Sequence, residues 1–412
     1  MTRPGPWLRL LAVAAAFAVA VVVVTGEWAR SHEASVLVAL ALLVAALLAA
    51  LLGHRDAPAL AGAFGAALAL FHVQIAVGGI VALGDGVAWT RTLHVVLGAA
   101  SLAAAVVAAA LAFRGASNRL VLARAVRASW RDYVTLTKPR IMTLLLLTAA
   151  GGLVLGERGV PSGSRAAATL GGLALACGGA SALNHVLDRD IDRFMRRTDR
   201  RPVAAGRVPP ERALEFGLAL SALSFAVLAS FVNVLAALLA VFGNVFYVLV
   251  YTRWLKRSTP LNIVIGGAAG AVPPVVGWAA ATGNLALPAL LLFLIVFFWT
   301  PPHFWALALL IRRDYEAARI PMLPVVRGER ETARAIVRYT AVLVAITLVP
   351  VAARTVGLAY LAAALVLGGV FLALAISLER RTTPERARRL FSYSLAYLAL
   401  LFAALAIDPM VF

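Results

Sequence analysis

The sequence predicts an all-α integral membrane protein of about thirteen transmembrane helices, a nine-helix bundle preceded by a four-helix bundle. Three observations carry that prediction. Of the 412 residues, 62% are hydrophobic and only 14% are charged. The mean hydropathy is +0.90, far from that of a soluble globular chain. Apolar runs of ~20 residues, each long enough to cross a bilayer as a helix, recur along the chain with short polar loops between them.

In chain order the first runs are 7–25, 34–53, 58–83 and 90–113. The N-terminus, with Arg3 and Arg9 and then an apolar stretch, resembles a signal peptide, but no small-x-small cleavage site follows it, so it is expected to remain as the first helix. The longest basic, weakly apolar connector comes next and sets the expected division into residues 1–115, 116–139 and 140–412. Beyond it lie 140–156, 166–184, 212–231, 233–251, 261–281, 285–310, 333–352, 356–378 and 390–408.

The net charge is +19, which in a soluble chain would point to nucleic acid. Here the arginines sit in loops. With the N-terminus in the cytoplasm, the inside loops hold His54-Arg55, Arg114 to Arg140, Arg189 to Arg212, Arg253 to Arg257, Arg312 to Arg334 and Arg380 to Arg389. The outside loops hold scattered arginines such as Arg30, Arg91, Arg158 and Arg354. Every strongly basic loop falls on one side, so the charge reports topology and no nucleic-acid partner is expected. The expected location is a plasma membrane, with the N-terminus and the basic loops in the cytoplasm. The single Cys177 lies in an apolar run and offers neither a disulfide nor a cysteine metal cluster.

Between Asn184 and Pro202 the chain reads NHVLDRDIDRFMRRTDRRP, at the end of an apolar run. Ionisable groups are costly at a bilayer, and where they occur they usually have work to do. Asn184, Asp188 and Asp192 are four apart, a spacing that stacks them on one helix face. A column of oxygens suits a hard divalent cation, above all Mg²⁺ carrying phosphate. Asp190 turns away if the helix continues, and ligates only if it ends early. Arg196, Arg197, Arg200 and Arg201 follow, and guanidinium groups pair with phosphate oxygens. The bland alternative is a solvated loop with internal salt bridges.

Two further loops share that side. In YTRWLKRSTPLNIVIGGAAGAVPPVVGW, Lys256 and Arg257 either bind phosphate or a substrate carboxylate, or anchor the loop at the membrane face; Arg253 joins them as a candidate for a substrate carboxylate. Gly266, Gly267 and Gly270 allow close approach of a helix or a flat ligand, and Pro273-Pro274 is expected to kink the helix. In FFWTPPHFWALALLIRRDYEAARIPMLPVVRG, Asp314 offers a second carboxylate opposite the first column, and Tyr315 a hydrogen-bond donor or pocket wall. His303, between Pro301-Pro302 and Trp305, either packs or contacts a macrocycle. The chemistry that fits is ionisation of an allylic diphosphate: cations steady the departing diphosphate, aromatic faces steady the carbocation, and the apolar interior keeps water away.

These three motifs, in this order over about 135–410, resemble the UbiA-type intramembrane prenyltransferases, and within them the branch that farnesylates haem. The resemblance implies that Asn184, Asp188 and Asp192 bind Mg²⁺–diphosphate, with Asp314 from a second acidic motif. Many relatives carry two aspartates four apart at that second site; here the later position is Ala318. It also implies farnesyl diphosphate and haem b as substrates, and haem O and diphosphate as products. Transfer to a quinone precursor or a chlorophyllide is the competing enzymatic reading, and a transporter or haem-binding membrane protein without catalysis is the third.

The first four runs hold His32, His54, His72 and His94. EWARSHEA, FHVQIAVGGIVAL and TRTLHVVLGAASLAA resemble one four-helix half of haem A synthase. That resemblance implies His32 and His94 as axial haem ligands, haem b as a bound group, and hand-off of product to haem A synthase or cytochrome oxidase assembly. The alternative is that these histidines are packed or interfacial.

Overall fold

The computed structural model describes residues 128–411 without a break, together with 65–74 and scattered positions between 12 and 108. Among the described residues, nine helices are long and apolar enough to cross a membrane. They are α1 (Pro139–Glu157), α2 (Gly163–Leu187), α3 (Pro210–Phe231), α4 (Val234–Ser258) and α5 (Asn262–Thr282). The remainder are α6 (Leu287–Leu310), α7 (Gly328–Ala352), α8 (Leu358–Arg380) and α9 (Pro384–Val411). Each predicted run from 140 onward falls on one of them. A shorter apolar helix, Gly65–Gln74, lies within the third predicted run. Most of the four N-terminal runs, including His32, His54 and His94, lie outside the described residues.

Successive helices pack side by side from α1 to α9, and α9 returns to α1, closing a ring. Further contacts brace it: α1 on α5, α6 on α9, and α2 on both α4 and α5. The α1–α5 crossing is close because glycine makes it so. A methyl at Gly152 would strike the Pro274 carbonyl, and one at Gly277 the Ala149 carbonyl. Small residues of this kind let membrane helices approach where burying apolar surface gives no drive. Both α5 and α6 run through their proline pairs as single helices. The described N-terminal residues Ala15, Val19, Leu43, Phe71 and Leu102 form a buried cluster that reaches Ala222 and Ala226 of α3.

Three features of the fold set up the site. First, the connector ends in a helix, Trp130–Thr137, opened by a capping box between Ser129 and Asp132. Leu136 buries against Ala182, Val186, Val203 and Val208, and Ser181 Oγ donates to the Leu136 carbonyl (2.6 Å). The chain then turns through Lys138 in the left-handed region (φ 52°), and Pro139 opens α1. Second, α2 stops at Leu187, and a separate turn, Arg189–Asp192, carries on from Asp188. Third, the C-terminal half of α4 is π-helical over Phe246–Leu255. Such wide turns are rare and cluster at functional sites. Gly266 makes room here, since a methyl on it would strike the Tyr251 ring.

Candidate active site

The ends of α2, α4 and α6 and the start of α1 converge on one side of the ring. An apolar cluster of Ile191, Met195, Ile263, Tyr315, Ile320 and Met322 clamps the loop after α2 to the loop after α6. Within that frame Asn184, Asp188 and Asp192 are all buried, at 3%, 0% and 1% exposure. Such burial of two carboxylates requires partners, and each has them.

Asp188 Oδ2 accepts from Lys256 Nζ (2.5 Å) and from Asn184 Nδ2 (2.8 Å). Asn184 Nδ2 also reaches Thr252 Oγ1 (3.1 Å), and Asn184 Oδ1 accepts from Lys138 Nζ (2.8 Å). The amide is thereby fixed with its nitrogen toward Asp188 and its oxygen toward Lys138. Arg201 Nη1 bridges both oxygens of Asp192 (2.8 Å each). Thr198 Oγ1 donates to the Asp192 carbonyl (3.1 Å) and ties the loop back on itself.

Asp190 does turn away. Its carboxylate is 58% exposed and takes two hydrogen bonds from Arg257 (2.7 Å each). Those bonds hold its carboxyl at about 2, below its ordinary 3.8. Arg257 also donates to the Leu187 carbonyl (2.7 Å), closing the end of α2.

One buried oxygen is left over. Asp188 Oδ1 has no hydrogen-bond partner, and the Arg257 guanidinium stands 3.9 Å away. A buried, unpaired carboxylate oxygen beside a second carboxylate one turn on is a donor set that a hard cation such as Mg²⁺ fits. The surroundings carry four cations, Lys138, Lys256, Arg201 and Arg257, against the carboxylates of Asp188, Asp192 and Asp190. The Lys138 ammonium is held well below the ordinary lysine range, first by burial and then by Arg201. Such a site attracts an anion as well as a metal.

Residues 145–403 match the UbiA prenyltransferase family. The chain belongs to that family. This UbiA-family chain is 43% identical over 433 residues to the protoheme IX farnesyltransferase of Roseiflexus sp. (strain RS-1), covering 100% of this chain and 77% of the relative. It is 51% identical over 298 residues to the protoheme IX farnesyltransferase of Symbiobacterium thermophilum, covering 72% of this chain and 98% of that one. Among solved structures, a digeranylgeranylglyceryl phosphate synthase superposes with a TM-score of 0.58 at 16% identity, over 68% of this chain and 99% of that one. A UbiA homolog from Aeropyrum pernix K1 superposes with a TM-score of 0.53 at 24% identity, over 66% and 98%. These two likenesses concern the fold.

In this UbiA-family site, the predicted residues divide. Asn184, Asp188, Asp192, Arg201 and Lys256 meet in one network, and Arg257 borders it through Asp190. Arg196 and Arg197 are exposed on the loop. Tyr315 is buried, within electrostatic reach of Arg197, Arg201, Asp188 and Asp314; burial raises its phenol above the ordinary tyrosine range. Asp314 is half-buried in the first turn of Arg312–Ala317. Among the described residues no three carboxylate, imidazole or thiol side chains gather closely enough to share one ion, so Asp314 stands apart from the first pair.

His303 makes its contacts with α6 and α9. It is stacked between Trp299 (4.4 Å) and Phe391 (4.8 Å), with Nδ1 2.7 Å from Ser394 Oγ on α9. Gly267 lies against Thr300, whereas Gly270 faces open space. Four residues went unseen in the sequence: Lys138, Thr252, and Tyr247 and Tyr251, which stack at 5.6 Å. Lys138 lay in the segment read as connector, and Thr252 takes its direction from the π-helical turns.

Proposed function

We propose that this chain transfers the farnesyl group of farnesyl diphosphate to a vinyl group of haem b, with addition of water, giving haem O and diphosphate. The observation that carries this reading is the similarity of the whole chain, at 43% identity, to 77% of a protoheme IX farnesyltransferase. Asp188 and Asp192 would hold Mg²⁺, with the unpaired Asp188 Oδ1 as the first ligand oxygen. Bound there, the metal would offset the negative charge that builds on departing diphosphate.

The protein's own groups do the rest. Lys256 and Arg201 stand where phosphate oxygens would approach Asp188 and Asp192, and Arg196 and Arg197 extend that positive rim. The faces of Tyr247 and Tyr251 line the approach along α4 and suit an allylic cation. Arg257 and Asn184 hold Asp188 in register. The helix ring shields the cation from premature capture by bulk water, so that water enters only after the carbon–carbon bond has formed.

The protein is a multi-pass membrane protein. We place it in the plasma membrane with the site on the cytoplasmic side, because the arginine-rich ends of α2, α4, α6 and α8 lie together there. His32 and His94 are proposed to ligate haem in the N-terminal part, from which haem or product passes to haem A synthase or oxidase assembly. A low-spin bis-imidazole absorption band that survives in the His32→Ala, His94→Ala double variant would remove that role.

The activity is tested by incubating membranes with haem b, farnesyl diphosphate and Mg²⁺ and resolving haems by mass. Formation of haem O, lost on chelation, is expected. Consumption of farnesyl diphosphate with a quinone precursor in preference to haem b would overturn the acceptor.

A further inference from the structure

Of the 38 lysines and arginines in the chain, only two are lysines, Lys138 and Lys256. The helix ends, loops and topology signals are served by arginine throughout. The two exceptions lie in the same network: Lys256 Nζ is 2.5 Å from Asp188 Oδ2, and Lys138 Nζ is 2.8 Å from Asn184 Oδ1. An ammonium differs from a guanidinium in being a compact, strongly hydrated point charge on a flexible stem, able to change partners by rotation. Chain-wide use of arginine with lysine kept at two positions of one network marks those positions as ones where the difference counts.

Lys138 is the one of the two that nothing else assigns. Its place is built at some cost. The residue before a proline is pushed toward extended backbone, yet Lys138 sits at φ 52°, ψ 57°. Strain of that kind persists where the surroundings over-determine it. The surroundings are the helix Trp130–Thr137, held by Arg207 on Asp132 (2.8 Å) and by Ser181 on the Leu136 carbonyl (2.6 Å). The result is an ammonium carried from the start of α1 across to α2, onto the oxygen of Asn184, the only atom of that amide able to meet a metal. Four cations (Lys138, Lys256, Arg201, Arg257) against three carboxylates (Asp188, Asp190, Asp192) leave the cluster positive, which an incoming anion neutralises.

We propose that Lys138 is a diphosphate-binding residue that couples the metal to the substrate: it holds Asn184 Oδ1, and releases it when a phosphate oxygen takes the ammonium. The proposal rests on the prenyl-transfer reading above. By reciprocity, a divalent ion alone competes with Lys138 for Asn184, whereas a metal arriving with diphosphate gains from it. Removing the ammonium therefore shifts the two affinities in opposite directions.

The test uses the full chain in micelles, with two probes. Mn²⁺ alone is titrated by the loss of its free electron-spin resonance signal. Farnesyl thiodiphosphate, which does not ionise readily, is measured by equilibrium dialysis at saturating Mg²⁺. For Lys138→Met, Mn²⁺ alone is expected to bind at least about fivefold tighter, and the thiodiphosphate at least about fivefold weaker, the lower end of ordinary coupling factors. Lys138→Asn, whose new side chain tolerates positive φ, should give the same pair of shifts and guards against a folding defect. A weakening of both ligands, or an unchanged Mn²⁺ affinity, would overturn the role of Lys138. Asp188→Asn separates the two readings. Mn²⁺ binding untouched in that variant removes the metal site itself, whereas its loss there with no change in Lys138→Met removes only the present proposal.

Discussion

Arg201→Met gives the sharpest energetic test of the site. Asp192 has a side chain only 2% exposed, and both its oxygens take their hydrogen bonds from one nitrogen of Arg201. Deleting the guanidinium strands a buried carboxylate. Breaking a buried pair from one side costs about 3–5 kcal/mol, and since Arg201 is itself 20% exposed, water can partly reach the gap, which sets the expectation at about 3 kcal/mol. At an unfolding entropy of about 2.1 cal/mol/K per residue, that corresponds in a chain of this size to a fall of ~3–5 °C in Tm. The assay is thermal unfolding in micelles followed by tryptophan fluorescence. Asp192→Asn in the Arg201→Met background removes the stranded charge, so the double variant should recover most of the loss, with a coupling of ~2 kcal/mol. A single variant within about one degree of the parent, or a double variant showing the plain sum of the two losses, would refute the reasoning.

Gly277→Ala should abolish the folded protein or cost ~3 kcal/mol or more, because the added methyl meets the Ala149 backbone rather than a flexible side chain; the monodisperse yield from size exclusion reports it. Asp408 on α9 caps α8 from outside, accepting from the Gly357 and Tyr360 amides. Asp408→Ala should therefore lower stability by about 1–2 kcal/mol, read as a Tm shift, with haem farnesylation per folded molecule unchanged. The carboxyl of Asp190 lies at about 2, below its ordinary 3.8, because Arg257 hydrogen-bonds it. Its contribution is whole above about pH 4 and is lost as pH falls toward 2. Since the pair is largely exposed, Asp190→Asn should cost under ~1 kcal/mol at neutral pH and flatten the acid limb of the stability curve between those values.

The spans from 140 onward were legible because hydropathy over ~20 residues is a local property and the bilayer demands it. The column of Asn184, Asp188 and Asp192 was legible for a similar reason: four-residue spacing survives even though the helix breaks at Asp188. Lys138 was not legible as a site residue. Its side chain reaches Asn184 only because Trp130–Thr137 folds back on α2, a contact set by Leu136 and Ser181 at long range. The π-helical turns of α4 were also hidden, since nothing in FYVLVYTRWL departs from an ordinary apolar helix. They decide that Thr252 and Lys256 face α2. His303 illustrates the converse. An intramembrane histidine among aromatics suits either a ligand or a packed ring, and Ser394, some ninety residues on, supplies the partner that local sequence could not reveal.

The central claim is that the Asp188–Asp192 pair is the seat of diphosphate departure. It is tested most directly by measuring haem O formed per folded molecule in Asp188→Asn and Asp192→Asn, with near-parental circular dichroism as the control. A fall of at least about a hundredfold in each is predicted, the scale of losing one preorganised electrostatic contact in a transition state. Turnover within a few fold of the parent in both would contradict it.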